Sequence, residues 1–226
     1  ALDLLGTLVR RGFDARLAGP ASAEVVAVCD SYQAMLKRAK EPAPKAEALT
    51  DYKAILDNKD ITAVLIATPS HQHKDIVLAA LKAGKHVYCE APLAHTVEDA
   101  RAIAQAAKEA VAQVFQPGLQ GRSDPQRHFL YPFIRSGALG KTVMARSQWH
   151  KKQSWRQASP NSDREQAINW RLHKATSPGL IGEIGIHALD RLAHELDRAL
   201  QRIENAGDGL EHRGLAGAVG AQDSDD

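Results

Sequence analysis

The sequence predicts an α/β fold built on a doubly wound parallel sheet, followed by the start of an α+β domain. Three observations carry that prediction. Over residues 1–120, short apolar runs rich in β-branched residues alternate with segments of helical periodicity. The runs are continuously apolar, which marks strands buried on both faces, and their alternation with helices makes them parallel. Each run leads directly into polar or turn-forming residues, at the sheet edge where open α/β folds bind ligands.

The elements follow in order. Ala1–Arg11 carries Leu2, Leu4, Leu5, Leu8 and Val9 at helical spacing, and Gly12 with Ala18-Gly19-Pro20 ends it. Glu24–Cys29 reads as a strand, with Asp30 directly after it. Ser31–Lys40 reads as a helix, stopped by Pro42 and Pro44. A short helix is expected at Tyr52–Leu56, then a strand at Ile61–Ala67 closed by Thr68-Pro69-Ser70. Gln72–Ala83 is the next helix, with Gly84 suited to the turn beyond it. His86–Cys89 is a strand. Thr96–Ala110 is a helix whose Thr96 and Asp99 resemble a capping box. Val111–Phe115 is expected as a further strand.

Beyond it, Pro125–Ser136 reads as a helix, Thr142–Trp149 as a mixed-face strand, Ser154–Ser177 as irregular and Leu180–Leu200 as helical. From Glu204 the chain is rich in Gly, Ala and Asp with little periodicity, which predicts a poorly packed tail. The expected organisation is a nucleotide-binding domain over 1–120, an incomplete substrate domain over 121–190 and an atypical helical or disordered tail over 191–226.

Composition bounds the function. A net charge of +2 gives no electrostatic footprint for nucleic acid. No apolar run reaches the roughly 20 residues that span a bilayer. The start has no cleavage pattern of a signal peptide. These features predict a soluble, cytoplasmic protein without membrane or nucleic-acid partners, an export signal staying open because the true N-terminus is expected to lie upstream. Cys29 and Cys89 belong to no CxxC pair, so they read as buried strand residues and no metal site is expected.

Asp30 is the first candidate for chemistry. An acid ending the second strand of a dinucleotide-binding fold accepts hydrogen bonds from ribose hydroxyls and repels a 2′-phosphate, which favours NAD over NADP. The competing reading is a turn-forming Asp before the next helix. Such a Rossmann-like domain opens with a strand and a glycine-rich turn at a helix N-terminus. Here Ala1 already lies in what reads as that helix, so the first strand and its loop are expected to be missing.

The run from Ile61 to Ala107 (ITAVLIATPSHQHKDIVLAALKAGKHVYCEAPLAHTVEDARAIAQAA) carries several ordered motifs. They are Thr68-Pro69 with His73, Ala83-Gly84-Lys85-His86-Val87, and Glu90-Ala91-Pro92. Later come IRSGALGK (134–141), NWRL (169–172) and GLIGEIGIHALD (179–190). Over residues 20–190 the sequence resembles the glucose-fructose oxidoreductase/inositol dehydrogenase (Gfo/Idh/MocA) family. The resemblance implies NAD or NADP as cofactor, a sugar-like or polyol substrate, hydride transfer at the nicotinamide, and a homo-oligomer for the full-length protein. It implies that Thr68, Pro69, Ser70, His73, Glu90 and Pro92 line the cofactor. The family's Lys between Glu and Pro is Ala91 here, which removes a group that assists proton transfer.

The resemblance also places Glu183 and His187, four residues apart on one helix face, beside the substrate. His187 is the expected general base for the substrate hydroxyl, since an imidazole takes a proton near neutral pH. Glu183 would orient it or bind substrate. Asp190 could pair with His187 or His194. Gln116 is expected at the cofactor, following its strand, and Arg122, Trp170 and Arg171 at the substrate. Trp149 and Trp155 are further aromatic candidates. Two other readings stand beside the dehydrogenase. One is an NAD-retaining glycoside hydrolase or lyase, motivated by Ala91. The other is a non-catalytic fragment.

Overall fold

The computed structural model describes residues 24–136, 138, 140, 144, 146–148, 155–159 and 161–193. The expected helix at Ala1–Arg11, half of the expected strand at Thr142–Trp149, His194 and the end of the tail lie outside them. The chain divides into two compact units between Gly118 and Leu119.

The first unit is parallel α/β. Strand β1 (Ala27–Cys29) is followed by helix α1 (Gln33–Lys40), then by β2 (Glu47–Leu49) and α2 (Tyr52–Asp57). β2 pairs with β1 in parallel, Ala27 facing Glu47 and Cys29 facing Leu49. Next come β3 (Ala63–Ile66), α3 (His73–Lys82), β4 (His86–Glu90), α4 (Val97–Glu109) and β5 (Phe115–Gly118). These strands form a second parallel sheet in the order β3-β4-β5. Every connection between paired strands carries a helix, as parallel pairing requires.

Two apolar clusters hold the unit. Val28, Leu36, Ala39, Ala43 and Ala46 pack α1 onto the first sheet. Ile66, Val77, Ala80, Leu81, Val87, Cys89 and Ile103 join α3 and α4 to the second. Cys89 has no exposed surface, and burial followed by the Glu90 charge pushes its thiol up to about 12. A thiol this protonated and covered is inert. At mildly alkaline pH, a thiol reagent is therefore expected to modify Cys89 only after denaturant is added. Peptide mapping of the native chain checks this, and labelling of Cys89 there would contradict the packing.

Local chemistry explains most boundaries. Thr96 Oγ1 accepts from the Asp99 amide at 3.1 Å, which caps α4. Gly84 turns the chain after α3 with φ +76°, where a side chain would be strained. His86 Nδ1 accepts from the Val114 amide at 2.8 Å, which puts that imidazole's proton on Nε2.

One strand stands where no element was expected, and one expected strand needs correction. Glu-Ala-Leu of β2 has no β-branched residue and follows two prolines, so nothing local announces it. The strand expected at Val111–Phe115 runs instead over Phe115–Gly118. Val111 and Val114 are 91% and 64% exposed, so their hydrophobicity reports no buried strand. Pro117 in β5 fits an edge position.

The second unit opens with a 3₁₀ turn (Gln120–Ser123) and helix α5 (Pro125–Ser136). Helix α6 (Ser162–Ile168) occupies part of the stretch expected to be irregular, with Asn161 Oδ1 accepting from the Arg164 amide as its cap. A 3₁₀ turn (Trp170–Leu172) follows, and then a helix over residues 179–193 whose segment Ile181–Gly185 is π-helical. Among the described residues no helix is long and apolar enough to cross a membrane.

Candidate active site

The carboxyl edge of the second sheet gathers most of the first unit's candidate residues. β3 runs into Thr68-Pro69-Ser70, and Ser70 opens a 3₁₀ turn (Ser70–Gln72) that leads into α3. β4 ends at Glu90, followed by Ala91 and Pro92 across a cis peptide. His73 ties the two turns together. Its side chain is buried, with Nε2 2.8 Å from the Thr68 carbonyl oxygen and Nδ1 3.0 Å from that of Pro92. A ring with one N–H satisfies one carbonyl, and the doubly protonated ring satisfies both. His73, expected at the cofactor, thus has both ring nitrogens on backbone carbonyls and joins the two turns. Ser70 is also buried and shapes its turn from beneath.

Glu90 is half-buried and stands beside Tyr88, two residues earlier on the same face of β4. The Tyr88 hydroxyl lies 3.5 Å from Glu90 Oε1, and burial, then the Glu90 charge, pushes the phenol up to about 12. Tyr88 thus stays protonated and steers the carboxylate. Gly118 faces Glu90 across the ladder. A Cβ there would sit 2.8 Å from both Glu90 Cα and Oε2, and 3.0 Å from the Tyr88 hydroxyl. Gly118→Ala is expected to lower stability by about 1–3 kcal/mol by overpacking. Urea unfolding checks it, and an unchanged midpoint would mean that β5 shifts freely.

Gln116 is also corrected. It lies inside β5 opposite Tyr88 rather than beyond the strand, and its amide donates to the Pro117 carbonyl at 2.9 Å. Asp30 ends β1, and its Oδ1 accepts from the Tyr32 amide at 2.8 Å. That is the turn-forming role, and it uses one of two carboxylate oxygens.

In the second unit, Glu183 and His187 sit on one helix, four residues apart, the first inside the π-helical stretch and the second just after it. Such stretches recur at functional sites. Glu183 is almost fully buried, with Oε1 accepting from the Ser177 hydroxyl at 3.1 Å and Oε2 3.5 Å from Arg171 Nε. The Arg171 guanidinium lies 4.3 Å over the Trp170 ring. Trp170, expected at the substrate, is buried beneath Arg171. Asn169, also buried, exchanges two hydrogen bonds with the Gln157 backbone, at 2.8 and 3.1 Å, and so anchors the turn that carries both residues.

Arg122, expected at the substrate, donates from Nε and Nη2 to Asp190 Oδ1 at 2.9 and 2.5 Å, and this bonding raises the guanidinium further above its ordinary range. That edge of the fork is engaged by protein. Asp190, expected beside a histidine, is the partner. The sequence reading passed over Tyr88, Gly118 and Ser177. Period-two spacing from Glu90 points to Tyr88, whereas nothing local marks Ser177.

Comparison with known proteins gives a consistent result. The model of an oxidoreductase family with an NAD-binding Rossmann fold (GFO_IDH_MocA) matches residues 6–117. Levoglucosan dehydrogenase of Pseudarthrobacter phenanthrenivorans is 36% identical over 142 residues, which is 62% of this chain and 34% of that protein. Inositol 2-dehydrogenase of Arthrobacter sp. (strain FB24) is 37% identical over 175 residues, 77% of this chain and 45% of the relative. The 2,7-anhydro-N-acetylneuraminate hydratase of Escherichia coli (strain K12) is 27% identical over 166 residues, 74% and 42% respectively. A solved structure of levoglucosan dehydrogenase in complex with NADH superposes with a TM-score of 0.69 at 28% identity, covering 86% of this chain and 50% of that one. The chain thus spans half or less of the proteins it matches. With the ordered motifs, the parallel sheet and the matched profile in agreement, the chain belongs to the Gfo/Idh/MocA family of oxidoreductases.

Proposed function

We propose that this chain supplies the cofactor-binding part, and the start of the substrate-binding part, of a nicotinamide-dependent oxidoreductase acting on a sugar or polyol. The observation that carries the reading is the joined edge of the second sheet. There the Thr68–Ser70 and Glu90–Pro92 turns are locked to one another by His73 and leave the Glu90 carboxylate beside a side-chain-free position at Gly118. That donor set suits a nucleotide. Vicinal ribose hydroxyls need fixed acceptors, and carboxylates at strand ends provide them through Glu90 and Asp30. Turns with backbone exposed at the carboxyl ends of parallel strands suit a flat nicotinamide ring. NAD, when bound, supplies hydride acceptance or donation.

This chain's residues do the rest. Glu90 and Asp30 hold ribose hydroxyls, Thr68, Pro69 and Pro92 shape the ring's pocket, and His187 takes the proton from the substrate hydroxyl. Ala91 stands in the place of the family's Lys, so position 91 contributes no proton-transferring side chain. The reading extends to a homo-oligomeric protein working in the cytoplasm.

A second reading rests on Ala91 and on the kinship to a hydratase. Here NAD is retained, and the protein eliminates or adds across a bond of a sugar with no net redox change. One experiment separates the two. The protein carrying this chain is titrated with NADH by fluorescence, then incubated with NAD and a panel including myo-inositol and levoglucosan. Binding with stoichiometric NAD reduction supports the dehydrogenase. Binding with substrate conversion but no change in nicotinamide absorbance favours the second reading, and failure to bind NADH overturns both.

A further inference from the structure

Glu183 and Arg171 form a unit that the proton-transfer assignment does not use. The carboxylate has 5% of its side chain exposed, yet both oxygens are engaged, one by the Ser177 hydroxyl and one by the Arg171 Nε edge. A buried carboxylate held from two sides is a fixed anion, poorly placed to move. The guanidinium is restrained too. One face lies on Trp170 and one edge on Glu183, while 45% of the side chain stays exposed. Trp170 is itself fixed through its neighbour Asn169 and through its own carbonyl, which accepts from the Thr176 hydroxyl at 2.7 Å. Arg171 also lines a cavity of about 740 Å³ with Trp155, Leu172, Ile184 and Leu189, and among the described residues of its wall it alone is charged.

We propose that Glu183 is a positioning residue for Arg171, and that the pair selects a neutral polyhydroxylated ligand over a carboxylated one. The proposal rests on the polyol reading above and adds the discriminating group. Two consequences follow from the geometry. Stacking and the Nε contact fix the guanidinium plane, so its remaining N–H groups meet ligand hydroxyls with little entropy left to lose. The adjacent carboxylate offsets the guanidinium charge, so a ligand carboxylate gains little attraction to Arg171 and meets repulsion from Glu183. Neutral hydroxyls meet donors without that penalty.

The test uses Glu183→Gln, which keeps the size of the side chain and its bond to Ser177 but removes the anion. Equilibrium binding of myo-inositol and of glucuronate to the protein carrying this chain is followed by tryptophan emission, with NADH binding measured separately. Wild type is expected to prefer inositol. The variant is expected to shift that preference toward glucuronate about tenfold, with NADH affinity unchanged. In turnover, KM for the polyol is expected to rise about tenfold and kcat to stay within about threefold. An unshifted preference, a wild type that favours glucuronate, or a wild type that binds neither overturns the proposal. So does a large loss of kcat at constant KM, which would put Glu183 in proton transfer. Loss of NADH binding by wild type would count against the cofactor reading instead, leaving the ligand-preference result to stand on its own.

Discussion

In the protein carrying this chain, His187→Ala is expected to lower kcat for polyol oxidation about 10²–10⁴-fold, the usual worth of a positioned general base. NADH affinity should not move. The argument starts from the backbone. His187 lies two residues beyond the π-helical turn Ile181–Gly185, which widens the helix before it. The residue is half-buried, four positions beyond Glu183 on the same helix. Steady-state kinetics with a slow-binding control, Asp190→Asn, locates the effect, because Asp190 serves Arg122 and not the imidazole in this reading. A variant at His187 that keeps more than about a tenth of wild-type kcat would remove it from proton transfer.

How much of this was legible in the sequence follows from the kind of interaction involved. β3, β4, α3 and α4 are specified by local patterns, and their positions differ from the expected ones by a residue or two. Apolar continuity, a Thr cap and a Gly turn are all written within a few residues. β2 and β5 are not, because their existence depends on pairing partners 20 or more residues away, Ala27–Cys29 for β2 and Val87–Glu90 for β5. The site shows the same division. Motif order put forward Glu90, Pro92, Glu183 and His187 as candidates. What each polar group bonds to was hidden, since His73 spans the turns after two strands and Arg122 reaches Asp190 across 68 residues.

Lys85 shows that gap most sharply, and its replacement carries the second large expected effect. Lys85→Met should lower stability by about 3 kcal/mol. The sequence presents Lys85 as a motif residue in Ala-Gly-Lys-His-Val, which suggests exposure before a strand. It is 4% exposed instead. Its ammonium donates to the carbonyls of Asn58 at 2.6 Å and Ile61 at 2.7 Å, closing the loop between α2 and β3 onto the start of β4. The neighbouring backbone reinforces the junction, with the His86 amide donating to the Thr62 carbonyl at 2.9 Å. Replacing a buried charge by an apolar side chain is often neutral when both partners are replaced together. Here the partners are peptide carbonyls, which no substitution can remove. Methionine fills the stem's volume and leaves both oxygens without a donor, at about 1–3 kcal/mol each. Lys82→Met, on the exposed side of α3, is the matched control and should change stability by less than about 0.5 kcal/mol. Urea unfolding of the two variants beside wild type decides the matter. Equal midpoints for all three would mean that water reaches the Asn58 and Ile61 carbonyls once the ammonium is gone, and that the loop before β3 is held by its backbone bonds alone.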